Sequence, residues 1–504
     1  MMPPLFHLAL CFAGGILVGL RTTVLDPPAL LLTASAISAL LLLWPGRLPR
    51  NAIPILLALA GLLAGAAAAA QARSDCRERL PDGARVRVRG AFSATPLPEA
   101  TTGFFIEELE VAGRRLRCGG AVRARLAPGA WGGRGGSGTH ARIPNAGGEL
   151  RAGDELRAGD ELRAGDELRA GARWLRLPPE GRWPRSAERA GMLVLDTVSL
   201  LTPAGSGHHP LLAARGDAQA RLRALLGGRA GVAEALVLAQ QEGLDPELRR
   251  RFADSGLAHL LAISGQHVAL IAAGLLGLAR VLRLSPRAGA VLVGSAVTGY
   301  VLFLGAPYAA ARAALVVLLV LAARLAQRPS HPFALLAAAA IVLLAFDPFA
   351  VLDAGFQLSF AGTAGILALR RAFLLALRPR LGRFAADSIA TSTAATLATM
   401  PLTALHFGTV APIGVLANLA GVPLAGAAVP ALALTLAASS VSWPVAEFLA
   451  GAPDVLLRGL DRVAALAAAV PGGHAYVSRD TVLAWLVAAT LAAVVAGRLA
   501  AARL

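Results

Sequence analysis

Lysine is absent from this chain, and all 48 of its Lys-or-Arg side chains are arginine. A Walker A loop needs a lysine to reach the nucleotide phosphates, so ATP hydrolysis by that route is excluded. Charge is scarce as well: 16% of the residues are charged, against about 25% in an ordinary soluble domain. Hydrophobic residues make up 56% and come in long blocks, as lipid requires. Cysteine is rare, with three in 504 residues, and no Cys-x-x-Cys spacing points to zinc. Cys11 lies inside an apolar run. Cys76 and Cys118 fall in a polar region placed below outside the membrane, where an oxidising compartment would let them pair.

Acid is the minority charge. Asp and Glu total 31, which leaves a net charge of +17. A GC-rich genome favouring Arg, Ala and Gly accounts for that excess. So does a surface that meets polyanions, whether phospholipid headgroups or nucleic acid.

Three apolar stretches open the sequence, at about 5–20, 28–44 and 52–70, each near the length that crosses a hydrocarbon core. The first has no basic leader and no convincing cleavage site, and reads as a retained helix rather than a signal peptide. A polar, arginine-rich region covers about 71–230, and apolar spans resume from about 257. The positive-inside rule orients them. Arg47 and Arg50 make the second loop cytoplasmic, so the polar region lies outside. In the second half, Arg280, Arg283 and Arg287 form one basic loop and Arg324 with Arg328 a second. A third runs from Arg370 to Arg383. They alternate with the turns Gly305-Ala306-Pro307 and Asp347-Pro348. That alternation puts the arginine loops inside and agrees with the first half. Past Pro412 it stops deciding. The stretch 413–440, with Gly421, Pro423 and Pro430, fits one long span, two short ones or a re-entrant segment.

The polar region reads as β-rich. Residues 84–90 (Ala-Arg-Val-Arg-Val-Arg-Gly) alternate as a half-buried strand does, and 103–107, 121–126 and 192–196 behave similarly. Short strands separated by Gly and Pro suggest a small barrel or sandwich. On the first strand Arg85, Arg87 and Arg89 would share one face, leaving Val86 and Val88 for a core. That arginine row is a candidate phosphate contact and equally a solvated strand face. Gly132 to Gly138 reads as a flexible loop. A true repeat follows: Arg-Ala-Gly-Asp-Glu-Leu three times over 151–168. Six is even, so an extended chain would set its leucines on one face. We read it as a duplicated loop with no direct function.

The richest segment runs from Asp254 to Val268. It places His259, Ser264, Gly265, Gln266 and His267 at the mouth of an apolar span. Polar groups at membrane depth usually face a cavity or a protein interior. Ser264 and His267 are three apart and would touch on a helix. They form a conceivable nucleophile pair, with no third group to orient the histidine. The alternative is hydrogen bonding to neighbouring helices.

This segment, Gly256-Leu257-Ala258-His259-Leu260-Leu261-Ala262-Ile263-Ser264-Gly265-Gln266-His267-Val268, closely resembles the signature of the ComEC family of DNA-uptake competence proteins. Three more segments resemble the family in the same order. One is 307–314, with Arg312 inside a span. The next is Asp347-Pro348 with 353–360, which holds Gln357 and Ser359. The last is Pro401-Leu402, Phe407-Gly408 and 411–419, which holds Asn418. The lead-in Gln240 to Pro246 is similar too. The likeness is strong over about 230–430.

The resemblance implies an α-helical polytopic membrane protein with roughly ten spans and an inserted extracytoplasmic OB-like β domain. The expected layout is N-terminal helices at 1–70, the OB-like domain with the repeat at 71–205, an amphipathic connector at 206–256 and the channel domain at 257–504. It implies a channel that passes single-stranded DNA across the bacterial cytoplasmic membrane during transformation. Arg312 is then the intramembrane phosphate candidate. His259, Ser264, Gly265, Gln266, His267, Gln357, Ser359 and Asn418 become lining or helix-coupling candidates. Expected partners are membrane lipid, a DNA receptor, a cytoplasmic motor ATPase, a separate nuclease and a second copy of the chain. Many relatives carry a metallo-β-lactamase-like domain, and its His-x-His-x-Asp-His motif does not occur in this sequence. No cofactor or metal is expected. Gln266 stands where the family usually has an apolar residue. The rival readings are an intramembrane hydrolase using Ser264 and His267, and a transporter of another solute.

Overall fold

The computed structural model describes residues 4–21, 52–75, 80–93, 101–116, 120–127, 162, 166–176, 191–202, 209–241, 243–262, 265–328, 331–478 and 480–482. Cys76, Cys118 and Ser264 lie outside them, so the disulfide and the Ser264–His267 pair are not described. Two compact units divide the chain. One holds His7–Glu234 with Ile341–Val351; the other holds Met1–Phe6, Ala235–Ala340 and Leu352–Leu504.

In the first unit, helices α1 (Pro4–Arg21) and α2 (Ala52–Ser74) pack backbone to backbone. Gly15 and Gly19 on one helix face the backbone of Ala58, Leu62 and Ala66, and Gly61 and Gly65 on the other face that of Phe12, Ile16 and Leu20. A Cβ added at Gly15 would lie 2.0 Å from the Ala58 carbonyl oxygen, and one at Gly61 would lie 2.2 Å from that of Phe12. Small residues four apart are how helices approach closely in lipid, where hydrophobicity gives no preference for protein over solvent.

The strands β1 (Arg85–Phe92), β2 (Thr102–Val111), β3 (Arg114–Leu116), β4 (Gly120–Leu126), β5 (Glu167–Arg176) and β6 (Gly191–Thr202) form a small barrel. Its order is β1-β5-β6-β4-β2, and β2 pairs back to β1 and closes it; β3 extends β2 as a hairpin. All pairs are antiparallel except β4 with β6. Val86, Val88, Phe92, Phe104, Leu109, Trp174 and Leu193 fill the interior, with Phe92 and Phe104 edge to face at 5.1 Å. Alternation does what the sequence says it should: Arg85 and Arg87 point out while Val86 and Val88 are buried.

The repeat is not wholly a loop, which corrects the reading above. Its third copy runs into β5 at Glu167, and Leu162 and Leu168 both enter the barrel core. The even period allows this, because leucines six apart fall on one side of an extended chain. Helix α3 (Pro210–Leu226) follows the barrel and docks on it. Arg215 donates to the Ser93 carbonyl at 3.3 Å, and His209 pairs with Glu107 at 3.0 Å. Buried Glu234 accepts from Gln219 and Arg223, each at 2.7 Å.

The second unit is helical. After α4 (Ala230–Leu238) come α5 (Pro246–Asp254), α6 (Ala258–Leu261), α7 (Gly265–Val281), α8 (Pro286–Phe303), α9 (Tyr308–Leu325) and α10 (Pro332–Phe346). Then follow α11 (Ala354–Leu377), α12 (Arg383–Phe407), α13 (Gly414–Ser439) and α14 (Trp443–Ala468). A two-stranded ribbon joins β7 (Thr409–Val410) to β8 (Ala475–Tyr476). Starts follow local chemistry: Asp245, Ser285 and Asp353 each cap a helix, with proline in the first turn of α5 and α8. The stretch 413–440 resolves as one helix. Pro423 and Pro430 sit seven apart on its exposed side, and the helix continues through both.

Five helices among the described residues are long and apolar enough to cross a membrane: Pro54–Ala72, Pro286–Phe303, Tyr308–Leu325, Ala354–Leu377 and Gly414–Ser439. Three shorter apolar helices, His7–Leu20, Gly265–Val281 and Pro332–Phe346, accompany them.

Candidate functional site

The signature segment is a broken helix. Helix α6 ends at Leu261 and α7 begins at Gly265. Gly256, at φ +74°, sets the entrance to α6 and touches α13. A Cβ there would lie 2.7 Å from the Gly414 Cα, so only glycine allows the approach. One helical stretch further along α13, a Cβ on Gly421 would sit 3.0 Å from the Leu257 side chain. The signature thus lies along α13, with Gly256 against Gly414 and Leu257 over Gly421.

His259 is exposed, and its Nδ1–H donates to the Gly256 carbonyl at 3.1 Å, inside its own turn. His267 is 3% exposed and is not without a partner. Gln266 lies against α13, 3.2 Å from where a Cβ on Gly426 would stand, and has no hydrogen-bond partner among the described residues.

Arg312 occupies the second turn of α9. Its Nε donates to the Ser359 hydroxyl of α11 at 2.7 Å, and its guanidinium carbon lies 5.9 Å from the Phe360 ring centre. The Phe360 ring in turn meets Phe356 in a tilted pair at 4.4 Å, and Phe356 meets Tyr308 edge to face at 6.2 Å. A Cβ on Gly265 would stand 2.6 Å from Arg312 Nη2. The signature glycine therefore makes room for the guanidinium. No acidic side chain pairs with Arg312 among the described residues. A cation at membrane depth is costly without an anion or water to meet it.

The other candidates form separate pairs. Gln357 accepts from His406 Nε2–H at 2.8 Å, and Asn418 donates to the Ser392 hydroxyl at 2.7 Å while its Oδ1 stays buried and unpaired. Polar contacts therefore run between α9 and α11, α11 and α12, and α12 and α13. His406 and Ser392 went unnoticed in the sequence. His406 lies between Pro401 and Gly408 of the fourth motif, and that position was its only signal.

Further contacts hold the unit together. Arg251 bonds Asp461 at 2.9 Å, and Tyr476 donates to Asp254 at 2.7 Å. Arg370 pairs with Asp387 between α11 and α12, and with Thr391 at 3.0 Å. Among the described residues no three His, Cys, Asp or Glu side chains group to hold a metal ion.

On the barrel the arginine row divides. Arg89 is committed to Glu167 at 2.8 Å and lies 3.5 Å from Glu107. The Glu167 hydrogen bond holds its guanidinium above the usual arginine range. Arg87 is 3.8 Å from Glu110 with its side chain 75% exposed, so that pairing is weak. Arg85 has no acidic partner among the described residues.

A bundle of apolar helices with a small β-barrel defines a membrane protein. Residues 236–503, more than half of the chain, match the family model described as Competence protein. The chain belongs to the competence protein family, that of ComEC. ComE operon protein 3 of Bacillus subtilis (strain 168) is 31% identical over 215 residues, which is 42% of this chain and 27% of that protein. The match thus spans about a quarter of that relative's length. No solved structure gives a significant match.

Proposed function

We propose that this chain forms the path by which single-stranded DNA crosses the cytoplasmic membrane during transformation, and that it is a channel rather than an enzyme. The observation that carries the proposal is Arg312. It is a guanidinium on an apolar helix, bonded to a neutral hydroxyl, close to the Phe360 ring and lacking an acidic partner among the described residues. A phosphate supplies the missing charge, and an arginine fork suits phosphate geometry. Gln266, Gln357, Ser359 and Asn418 line or couple the surrounding helices.

A multi-pass layout with roughly ten spans is supported by the five spans and three shorter apolar helices. The barrel's strand order, with its single parallel pair, supports an OB-like reading. Its position outside the membrane rests on the arginine loops. There Arg85 and Arg87 remain for phosphate contacts, while Arg89 is a structural ion pair. A DNA receptor, a cytoplasmic motor ATPase, a separate nuclease and a second copy of the chain are the partners this reading requires or allows.

The test is Arg312→Ala beside Arg312→Lys. Uptake of added DNA should fall at least about tenfold in the alanine variant, a loss equivalent to about 1.4 kcal/mol, with protein levels normal. Lysine should restore part of it, because it keeps the charge and loses the fork. Full uptake in the alanine variant would remove the role.

A further inference from the structure

Helices α7, α9 and α11 share one level in the second unit. A Cβ on Gly265, the first residue of α7, would stand 2.6 Å from Arg312 Nη2 of α9, and Arg312 Nε lies 2.7 Å from the Ser359 hydroxyl of α11. Helix α8 returns against the first two. A Cβ on Gly289 would lie 3.5 Å from Ala279 near the end of α7, and one on Gly294 would lie 3.2 Å from Leu318 of α9. With a rise of about 1.5 Å per residue, Arg280, Arg324 and Arg371 fall about 18–23 Å beyond the Arg312 level. The three helices therefore end together.

That end is basic. Arg280 and Arg283 lie where α7 gives way to α8, Arg324 closes α9, and Arg378, Arg380 and Arg383 surround the turn from α11 to α12; all six are exposed. No Asp or Glu occurs from 255 to 346. On α12 the first acid, Asp387, is taken by Arg370. Arg380 donates to the Ala376 carbonyl at 2.9 Å, and none of the six has an acidic partner among the described residues. Apolar side chains stand exposed between these charges. Val281, 79% exposed, and Leu282 separate Arg280 from Arg283, Leu325 follows Arg324, Leu381 follows Arg380, and Phe384, 64% exposed, follows Arg383.

Charge alone would suit any polyanion. Aliphatic side chains set between the charges suit a bilayer surface, where they enter the acyl boundary while guanidinium groups reach headgroup phosphates. A strand-binding face uses aromatic platforms in series, and the segments 280–287, 324–328 and 378–384 supply one ring, Phe384. We propose that this end of the unit is a binding site for anionic phospholipid, with the α7–α8 and α11–α12 turns supplying the guanidinium groups. The positive-inside rule asks only for a bias of charge across the membrane. A site requires those charges at one level, where the helix ends bring them. It does not depend on the transport reading above.

The full chain, purified in neutral detergent, is titrated with dioleoylphosphatidylglycerol or dioleoylphosphatidylcholine while its thermal midpoint is followed. Phosphatidylglycerol should raise the midpoint, as a ligand of the folded state does, and phosphatidylcholine should not. High salt should weaken the effect. In the triple variant Arg378→Gln, Arg380→Gln, Arg383→Gln the apparent affinity for phosphatidylglycerol should fall at least about tenfold, since each arginine near an anionic surface contributes about fivefold. The double variant Arg280→Gln, Arg283→Gln, in a separate turn, should lose affinity in the same direction. Arg114→Gln, exposed on the barrel, should match wild type. An equal response to the two lipids overturns the site, and so does wild-type affinity in both multiple variants. The lipid comparison and its salt dependence are read on the wild type, so they decide the matter even where a variant fails to fold. Inorganic phosphate that reproduces the shift alone would make this a free-anion site and overturn the lipid assignment. A single-stranded oligonucleotide that raises the midpoint more than phosphatidylglycerol, and loses that effect in the same variants, would overturn it in favour of a nucleic-acid face.

Discussion

Gly265 has no side chain, and the guanidinium of Arg312 fills the space that one would occupy. The colliding atom is the tip of a flexible side chain, so Gly265→Ala should displace Arg312 at little cost in stability. We expect a thermal midpoint within a few degrees of wild type, since a helical Gly→Ala change is neutral or mildly stabilising where the space allows. DNA uptake should fall as it does for Arg312→Ala. Full uptake in Gly265→Ala would show that the guanidinium position is not used. Arg312 was legible in the sequence as a charge inside an apolar run. Its dependence on Gly265 was not, because the two are 47 positions apart and meet only through packing. Arg89 shows the converse. Its alternation with valine marked an outward face, but Glu167, its partner, arrives from a strand 78 residues away.

At the scale of elements, the pairing of α1 with α2 depends on glycine. Leucine at Gly61 must displace the backbone of Phe12 or separate the helices. Overpacking of this kind costs about 1–3 kcal/mol. Gly61→Leu should therefore lower the thermal midpoint measurably, whereas Gly14→Leu, with nothing within 4 Å of its Cβ, should not. Equal effects from both would mean that helix propensity, not contact, sets the result. Element type was largely readable from periodicity: the strand over 84–90 and the spans around Arg312 and Gln357 are where alternation and apolar length put them. The helix over 414–439 was not readable. Pro423 and Pro430 look like breaks in a sequence, yet one helix runs through both.

For the whole molecule, the charge pattern makes a topological prediction. In a background lacking the three native cysteines, Arg283→Cys should react with a membrane-impermeant thiol reagent only after the cytoplasmic side is opened. Arg85→Cys should react in intact spheroplasts. Labelling of both from the same side would refute the orientation, and with it the placing of the barrel outside the membrane.

Composition and pattern alone determined that this is a membrane protein, that it carries a β domain, and that its second half has the competence motifs. Those are properties of local runs: length of apolar stretch, period of alternation, order of short segments. Tertiary structure decided the rest. It closed the barrel by joining β2 back to β1, drew Leu162 and Leu168 of the repeat into the core, and brought Gly256 against Gly414. It left Arg312 facing a hydroxyl while giving Arg89 a carboxylate. Both are arginines in regular elements, and they differ only in what distant chain segments bring to them. A sequence records that a charge is present; packing determines whether it is neutralised.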